Sequence, residues 1–354
     1  MACDMGRRRR KYDVVAGRRR RSFVISLAVV VSALGLFTIA AYAVFDHYAG
    51  KLGTAPVPAA EPMRGETERG TLEDSPAEQR RSYESYLREN LESEAQPLPF
   101  DEKDVYSVLL IGTDESDGDE AGRSDSMILL SVNRAQRRLV MSSFMRDIYC
   151  AIPGCGYSRL NHAYAWGGPE LLMETIGENF KIPLTNYVQV DFESFRSVVD
   201  TVGGVDIRLS QAEADYLNAF CADGLTEGVN RLDGWTALEY ARMRYVGNAD
   251  YERTARQRYV LTELIEKARG LSLTELDELA ETLLPQIRTN ISRAQLLSLV
   301  LGAGEYMQYE TESCRIPCDG SMTDMVVDGM MVLGVNLERN RRVWYEAVYG
   351  PAEE

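Results

Sequence analysis

The sequence predicts an α/β fold: a single α-β-α sandwich around a central mixed sheet, preceded by one transmembrane helix. Three observations lead there. Residues 23–45 form an uncharged apolar run, apolar runs of strand length alternate with helical periodicity between residues 104 and 350, and no segment repeats at a fixed period. Roughly 250 residues of alternating pattern fit one α/β domain.

The first segment, residues 1–22, carries nine basic groups against Asp4 and Asp13, or +7, in a chain of net charge -15; the remainder therefore carries -22. The 23 residues of "FVISLAVVVSALGLFTIAAYAVF" follow. At ~1.5 Å rise per residue they cross a hydrocarbon core of roughly 30 Å as a helix. A secretory signal peptide competes, because "AAYA" offers small residues for cleavage, but a signal's apolar region is about 7 to 15 residues long, so the length favours an uncleaved anchor. The arginine clusters before it place the N-terminus in the cytoplasm and the rest of the chain outside the cell membrane. A nucleic-acid-binding arm is the weaker reading of those clusters.

Residues 46–103 are rich in Pro, Ala, Glu, Gly and Arg and read as an extracellular stalk. Within it, Ser75 as N-cap and Pro76 at the first helical position predict a helix over 76–95, which Pro97 and Pro99 end. The globular domain is expected over 104–350. Its strands are predicted at "VYSVLLI", "SMILLSV", "LVMSSFM", "NYVQVDF", "GVDIRL" and near "ESCRIP". Its helices are predicted in "GPELLMETIGENF" and "ESFRSVVDTVG" and over 234–241, 251–269, 273–284 and 292–305.

Of six cysteines, Cys3 falls on the cytoplasmic side, leaving Cys150, Cys155, Cys221, Cys314 and Cys318 where disulfides persist. Two bridges among five allow fifteen arrangements, and the sequence does not choose. Cys150 and Cys155 flank the Pro153-Gly154 turn signal, which would bring them near each other. With no CxxC pair, a structural zinc site is disfavoured.

Absences narrow the chemistry. Only His47 and His162 are present, and His47 lies at the membrane boundary, so no second histidine supports a catalytic device; His162 is expected to be structural. There is neither a GxxxxGK[ST] nor a GxGxxG motif. What is left is acid and arginine. Asp114 and Asp125 stand at strand ends, where α/β sheets gather ligands, and their carboxylates suit magnesium, with manganese as a substitute. Alone they would be read as aspartates bonding their own turns.

The arginines change that weighing. Arg123 lies two residues from Asp125, Arg146 follows the strand "LVMSSFM", and Arg159 opens "RLNHAYAWGG". The stretch 239–258 adds Arg242 and Arg244, two apart and expected to point to one side if extended, and Arg253 and Arg256, three apart on one helical face. Arg258, off that face, is expected in solvent. Guanidinium forks hold phosphate oxygens bidentately. In a segment of charge -22, such clustering points to a compact polyanion such as pyrophosphate, and no nucleic acid is expected. Surface salt bridges are the plainer reading and suit Arg134, Arg137, Arg138 and Arg258.

"LLIGTD", "RSDSMILL", "FMRDIY", "RLNHAYAWGG", "VVDTVGGVDI", "LDGWTALEYARMR" and "DYERTARQR", in this order, resemble the LytR-CpsA-Psr family of cell-wall glycopolymer ligases over about residues 105–269. The resemblance implies an α-β-α fold that buries a polyprenyl chain between sheet and helices, with magnesium and arginines on its pyrophosphate. It implies transfer of a phosphoglycosyl polymer, such as teichoic acid or capsular polysaccharide, from undecaprenyl pyrophosphate to a peptidoglycan hydroxyl, with a pyrophosphatase side activity. By motif, Asp114 and Asp125 fall on metal-associated positions. Arg123, Asp125, Arg146, Arg242, Arg244, Asp250 and Arg253 fall on catalytic ones, and Arg159, Arg256 and Gln257 on substrate-binding ones. "FMRD" departs from the family's usual Pro before the Arg, the cysteines around "AIPG" are outside its pattern, and His162 stands where a small residue is usual. Two other classes stay open: a polyprenyl-phosphate or wall-polymer binding protein without turnover, which would not need Asp114 and Asp125, and a membrane-tethered envelope regulator, for which residues 1–22 are too short to fold an effector.

Overall fold

The computed structural model describes residues 74–93, 104–114, 124–246, 249–270, 285, 287–306 and 308–350. The basic segment, the apolar run 23–45, most of the stalk and the helix expected over 273–284 lie outside the described residues. Among the described residues, no helix is long and apolar enough to cross a membrane.

Six strands form the central sheet: β1 (Val105–Thr113), β2 (Ser124–Asn133), β3 (Arg138–Phe144), β6 (Tyr187–Asp191), β9 (Arg288–Thr289) and β10 (Glu310–Ile316), in the order β10-β3-β2-β1-β6-β9. The β1–β2, β2–β3 and β6–β9 pairs are antiparallel, and β1–β6 and β10–β3 are parallel, so the sheet is mixed as expected. Both faces are covered. Alternation along β1 sends Leu109 and Ile111 into the main core, while Leu110 and Gly112 face the other way.

That core packs beneath α1 (Asp74–Glu92), α2 (Leu160–Phe180) and α8 (Leu337–Tyr349). The helix expected in the stalk does form, but it docks on the domain instead of standing clear of it. Leu87 is fully buried, the Tyr83 hydroxyl donates to Val335 O and accepts from Val335 N, and the Tyr86 hydroxyl accepts from Leu337 N. The globular unit therefore starts at α1, well before residue 104, and this 19-residue helix is held by three aromatic and aliphatic anchors. In α2, Gly168 at φ 67 and Pro169 break the helix into two pieces, a backbone state that glycine tolerates.

The opposite face is covered by α3 (Phe192–Thr201), α5 (Gly234–Arg242) and α6 (Ala249–Arg269). Asp191 and Asp233 cap α3 and α5 by accepting from Ser194 N and Thr236 N. A Cβ on Gly234 would lie 2.3 Å from Arg196 O, so only glycine lets α5 approach α3 this closely.

Two elements depart from expectation. "GVDIRL" forms β7 (Val205–Leu209), but β7 pairs with β8 (Gly228–Leu232) in a separate ladder with its own small core, built with α4 (Gln211–Phe220). Pro153-Gly154 turns a hairpin of β4 (Tyr149–Ile152) and β5 (Gly156–Arg159), whose register sets Cys150 opposite Ser158 rather than Cys155. All five described cysteines are free, and burial pushes the Cys150 thiol up. The hairpin β11 (Met322–Val327) with β12 (Met330–Val335), and α8, complete the main core; α7 (Arg293–Tyr306) precedes β10.

Candidate functional site

The site begins with an irregularity in strand pairing. Thr113 pairs with Ser124 and Gly112 with Ser126, so Asp125 is the extra residue of a β-bulge. A bulge re-aims the side chain it carries. Regular alternation would send Asp125 to the face of Met127 and Leu129, into the main core; instead it lines the cavity beside Ser126.

Three guanidiniums converge on it. Arg146, just beyond β3, places Nη1 3.0 Å from Asp125 Oδ1; Arg244, in the extended segment after α5, places Nη2 at 3.8 Å; Arg253, in α6, places Nη1 at 3.8 Å. The Arg253 side chain is 3% exposed, Asp125 18% and Arg244 37%, so the cluster grades from buried to open. Gln257, one turn after Arg253, points Nε2 at Asp125 O at 3.5 Å. Arg242 sits nearby, paired with Glu239 at 3.3 Å and with its guanidinium carbon 4.7 Å from the Phe192 ring centroid.

The cluster stands at the wall of a cavity of about 550 Å³ between the sheet and the covering helices. Leu110, Ile128, Val188 and Val190 from the sheet, Phe195 and Val198 from α3, and Val260, Leu261 and Leu264 from α6 make its lining apolar. Asp125, Asp191, Glu239, Arg242, Arg244, Arg253 and Gln257 supply most of its polar part. A chamber of this kind takes an amphiphile: a long apolar chain with an anionic group at the guanidiniums.

The sequence-expected residues divide. Asp125, Arg146, Arg242, Arg244, Arg253 and Gln257 are brought together, and Asp114 directly follows β1, exposed, at the same end of the β1–β2 pair. Arg123 and the side chain of Asp250 lie outside the described residues. Arg159 is turned away from the cavity, with Nη1 3.0 Å from Asp147 Oδ1 and Nη2 3.0 Å from His162 Nε2. Arg256 also departs from expectation. Its Nε donates to Glu213 Oε1 at 2.8 Å, Nη2 to Glu252 Oε2 at 2.8 Å and Val246 O at 2.9 Å, and Nη1 to Met243 O at 3.1 Å. At 4% exposure it holds the turn after α5 against α4 and α6 rather than facing a ligand. Arg258 is not in solvent either: it packs near Cys314 and Arg315, its Nη1 is buried without a hydrogen-bond partner, and burial lowers its pKa.

His162 takes no hydrolase role. Ser158 Oγ lies 2.8 Å from Nδ1, but the other ring nitrogen faces a guanidinium, which cannot stabilise an imidazolium as a carboxylate would. Among the described residues no group of three or more His, Cys, Asp or Glu converges as a metal cage. Asp114 and Asp125 instead fit a hard cation that takes one or two protein carboxylates and completes its shell with water and phosphate oxygens. The cavity-lining residues Phe192, Phe195 and Val198 are not singled out by the sequence reading, although their spacing of three along α3 marks an apolar face.

Residues 70–348 match the LytR_cpsA_psr family. A polyisoprenyl-teichoic acid–peptidoglycan teichoic acid transferase, TagU, of Oceanobacillus iheyensis is 37% identical over 211 residues, covering 57% of this chain and 63% of that protein, a little under two thirds of its length. TagU of Enterococcus faecalis is 34% identical over 228 residues, covering 62% of this chain and 72% of that one. Among solved structures, the LytR-CPS2A-psr family protein YwtF (TagT) with bound octaprenyl pyrophosphate lipid superposes with a TM-score of 0.55 at 27% identity, covering 73% of this chain and 95% of that one.

Proposed function

The chain belongs to the LytR_cpsA_psr family, and from that membership and the geometry of the site we propose that it is a cell-envelope phosphotransferase. It moves a glycopolymer from a polyprenyl pyrophosphate carrier to a sugar hydroxyl of peptidoglycan. The carrying observation is the convergence of Arg146, Arg244 and Arg253 on Asp125 at the wall of an apolar cavity. The names of its relatives, teichoic acid transferases, and of a structural neighbour holding octaprenyl pyrophosphate support the same substrate class.

In this reading the cavity takes the prenyl chain, burying roughly 25 cal/mol for each Å² of apolar surface. The guanidiniums then meet the pyrophosphate where the chain ends. The acceptor hydroxyl attacks the phosphorus that carries the polymer; the new P–O bond forms as the bridging P–O bond breaks, and polyprenyl phosphate leaves. Arg146, Arg244 and Arg253 neutralise charge growing on the equatorial and leaving oxygens, and Asp125 holds the three forks in register. Asp125 and Asp250 are the two candidates for taking the hydroxyl proton. Magnesium, held by Asp114 and Asp125, would supply further charge neutralisation on phosphate oxygens. The anchor at 23–45 would keep the site outside the cell membrane, near its lipid-borne substrate.

The test is release of polyprenyl phosphate, with transfer of label to glycan, from a synthetic lipid-linked donor. Wild-type turnover that needs a divalent cation, and its loss in Asp125→Ala with the fold intact, is the expected result. Full turnover in Asp125→Ala, or none in wild type with donor, acceptor and magnesium present, contradicts the proposal.

A further inference from the structure

Behind Arg146 runs a chain of side chains that the reaction itself does not use. Arg146 donates from Nη1 to Asp125, and its Nε lies 3.5 Å from Asp147 Oδ2. The other oxygen of the same carboxylate, Oδ1, accepts from Arg159 Nη1 at 3.0 Å. Arg159 Nη2 in turn lies 3.0 Å from His162 Nε2, and His162 Nδ1 lies 2.8 Å from Ser158 Oγ. Arg146, Asp147 and Arg159 are each about one fifth exposed, so the chain lies largely beneath the surface.

The direction of the hydrogen bonds is fixed by their ends. A guanidinium has only N–H donors, so Arg159 can bond Nε2 only if that nitrogen offers a lone pair. The proton of a neutral imidazole is then on Nδ1, from which it donates to Ser158 Oγ. Backbone contacts hold the same pieces together: Asn161 N donates to Arg146 O at 3.2 Å and Leu160 N to Ile148 O at 2.8 Å. The His162 ring also lies 5.4 Å from that of Trp166, one turn along α2.

We propose that His162 is a positioning residue: through Arg159 and Asp147 it fixes the plane in which the Arg146 guanidinium meets Asp125 and the substrate pyrophosphate. This rests on the phosphotransferase reading above. Arg146 hydrogen-bonds Asp125 through Nη1 and lies in ion contact with Asp147 at Nε, 3.5 Å away, so the pose of its fork follows the Asp147 carboxylate. Withdrawing the acceptor from Arg159 lets that guanidinium follow Asp147 alone, the shared carboxylate shifts, and the ion contact at Arg146 Nε shifts with it. A shift of about 1 Å at such a group costs up to 10²-fold in rate.

Two variants separate positioning from general support of the fold. His162→Phe keeps the ring against Trp166 but removes the acceptor, and His162→Gln returns an acceptor oxygen toward Arg159. Both are measured in the full chain in detergent, with 15N-labelled arginine and the Arg146 Nε–H signal assigned by Arg146→Lys. His162→Phe should move or broaden that signal and lower kcat roughly 10-fold with KM for the donor little changed, while His162→Gln should restore both to within about threefold of wild type. An unmoved Arg146 signal in His162→Phe overturns the proposal whatever the rate, and so does a moved signal with an unchanged kcat. If wild type shows no transfer at all, the phosphotransferase reading fails, and the Arg146 signal alone decides whether His162 positions that side chain.

Discussion

Arg253 and Arg256 stand three residues apart on one helix and do opposite things. Arg256 gives hydrogen bonds to two carboxylates and two backbone carbonyls, all within the protein. Arg253 shares a single aspartate with two other arginines at a cavity wall. Both are almost fully buried, so burial does not separate them. The partners do: the donors of Arg256 go to four groups of the framework, whereas Arg253 converges with Arg146 and Arg244 on Asp125 at the cavity wall, where the proposal places the substrate anion.

The largest effect should come from breaking the architectural arginine. Arg256→Leu strands the largely buried Glu213 and frees the turn after α5, and should cost about 3–5 kcal/mol in denaturant unfolding, as removing one partner of a buried pair does. A stability near wild type would mean that Arg256 is not what ties α4, α5 and α6 together.

The socket should respond in rate instead. Arg253→Lys keeps the charge but loses the fork, and transfer should fall on the order of 10²-fold while the melting temperature moves far less than in Arg256→Leu. If Arg253→Lys instead unfolds the protein and leaves the rate per folded molecule unchanged, the contrast drawn here is inverted.

Much of this was legible before any coordinates. The strands and helices of the sheet are long periodic segments, and Arg146, Arg244, Arg253 and Asp125, singled out by the sequence, do come together in the fold. What the sequence hid was direction. Hydrophobic period places Asp125 in the core; only the unpaired step between Thr113–Ser124 and Gly112–Ser126 turns it into the cavity. A spacing of three put Arg253 and Arg256 on one helical face, yet about 60° of rotation between them is enough to send one to the cavity and the other to the turn at Met243–Val246. Short elements such as β4, β5, β11 and β12 carry too little periodicity to be seen, and the docking of α1 depends on Leu87 meeting a surface assembled from distant segments.

A third effect, in pH, sharpens the architectural side. Burial disfavours the charged Glu213 carboxyl, but the Ser210 backbone N–H and the Arg256 guanidinium outweigh it and hold the group below its ordinary value. A carboxyl lowered on folding adds stability above its unfolded value, about 4.3, and loses it as pH falls through the folded one. Wild type should therefore exceed Glu213→Gln in unfolding midpoint at pH 7, and the gap should close toward pH 3. A gap that persists in acid would remove ionisation from the account.

The smallest effect is expected at Arg258, whose burial is answered by no partner at Nη1. Arg258→Met should change stability by no more than about 1 kcal/mol and leave transfer unaffected. A loss comparable to that of Arg256→Leu would show that this arginine, too, belongs to the framework.

The most direct test of the central claim is mass spectrometry of the lipid that stays with the full chain on detergent extraction and purification, run side by side on wild type, Arg253→Lys and Glu213→Gln. A polyprenyl phosphate or pyrophosphate retained by wild type and Glu213→Gln but depleted from Arg253→Lys is the predicted result. Equal retention by Arg253→Lys, or only bulk phospholipid in all three, would contradict a pyrophosphate socket at Arg146, Arg244 and Arg253.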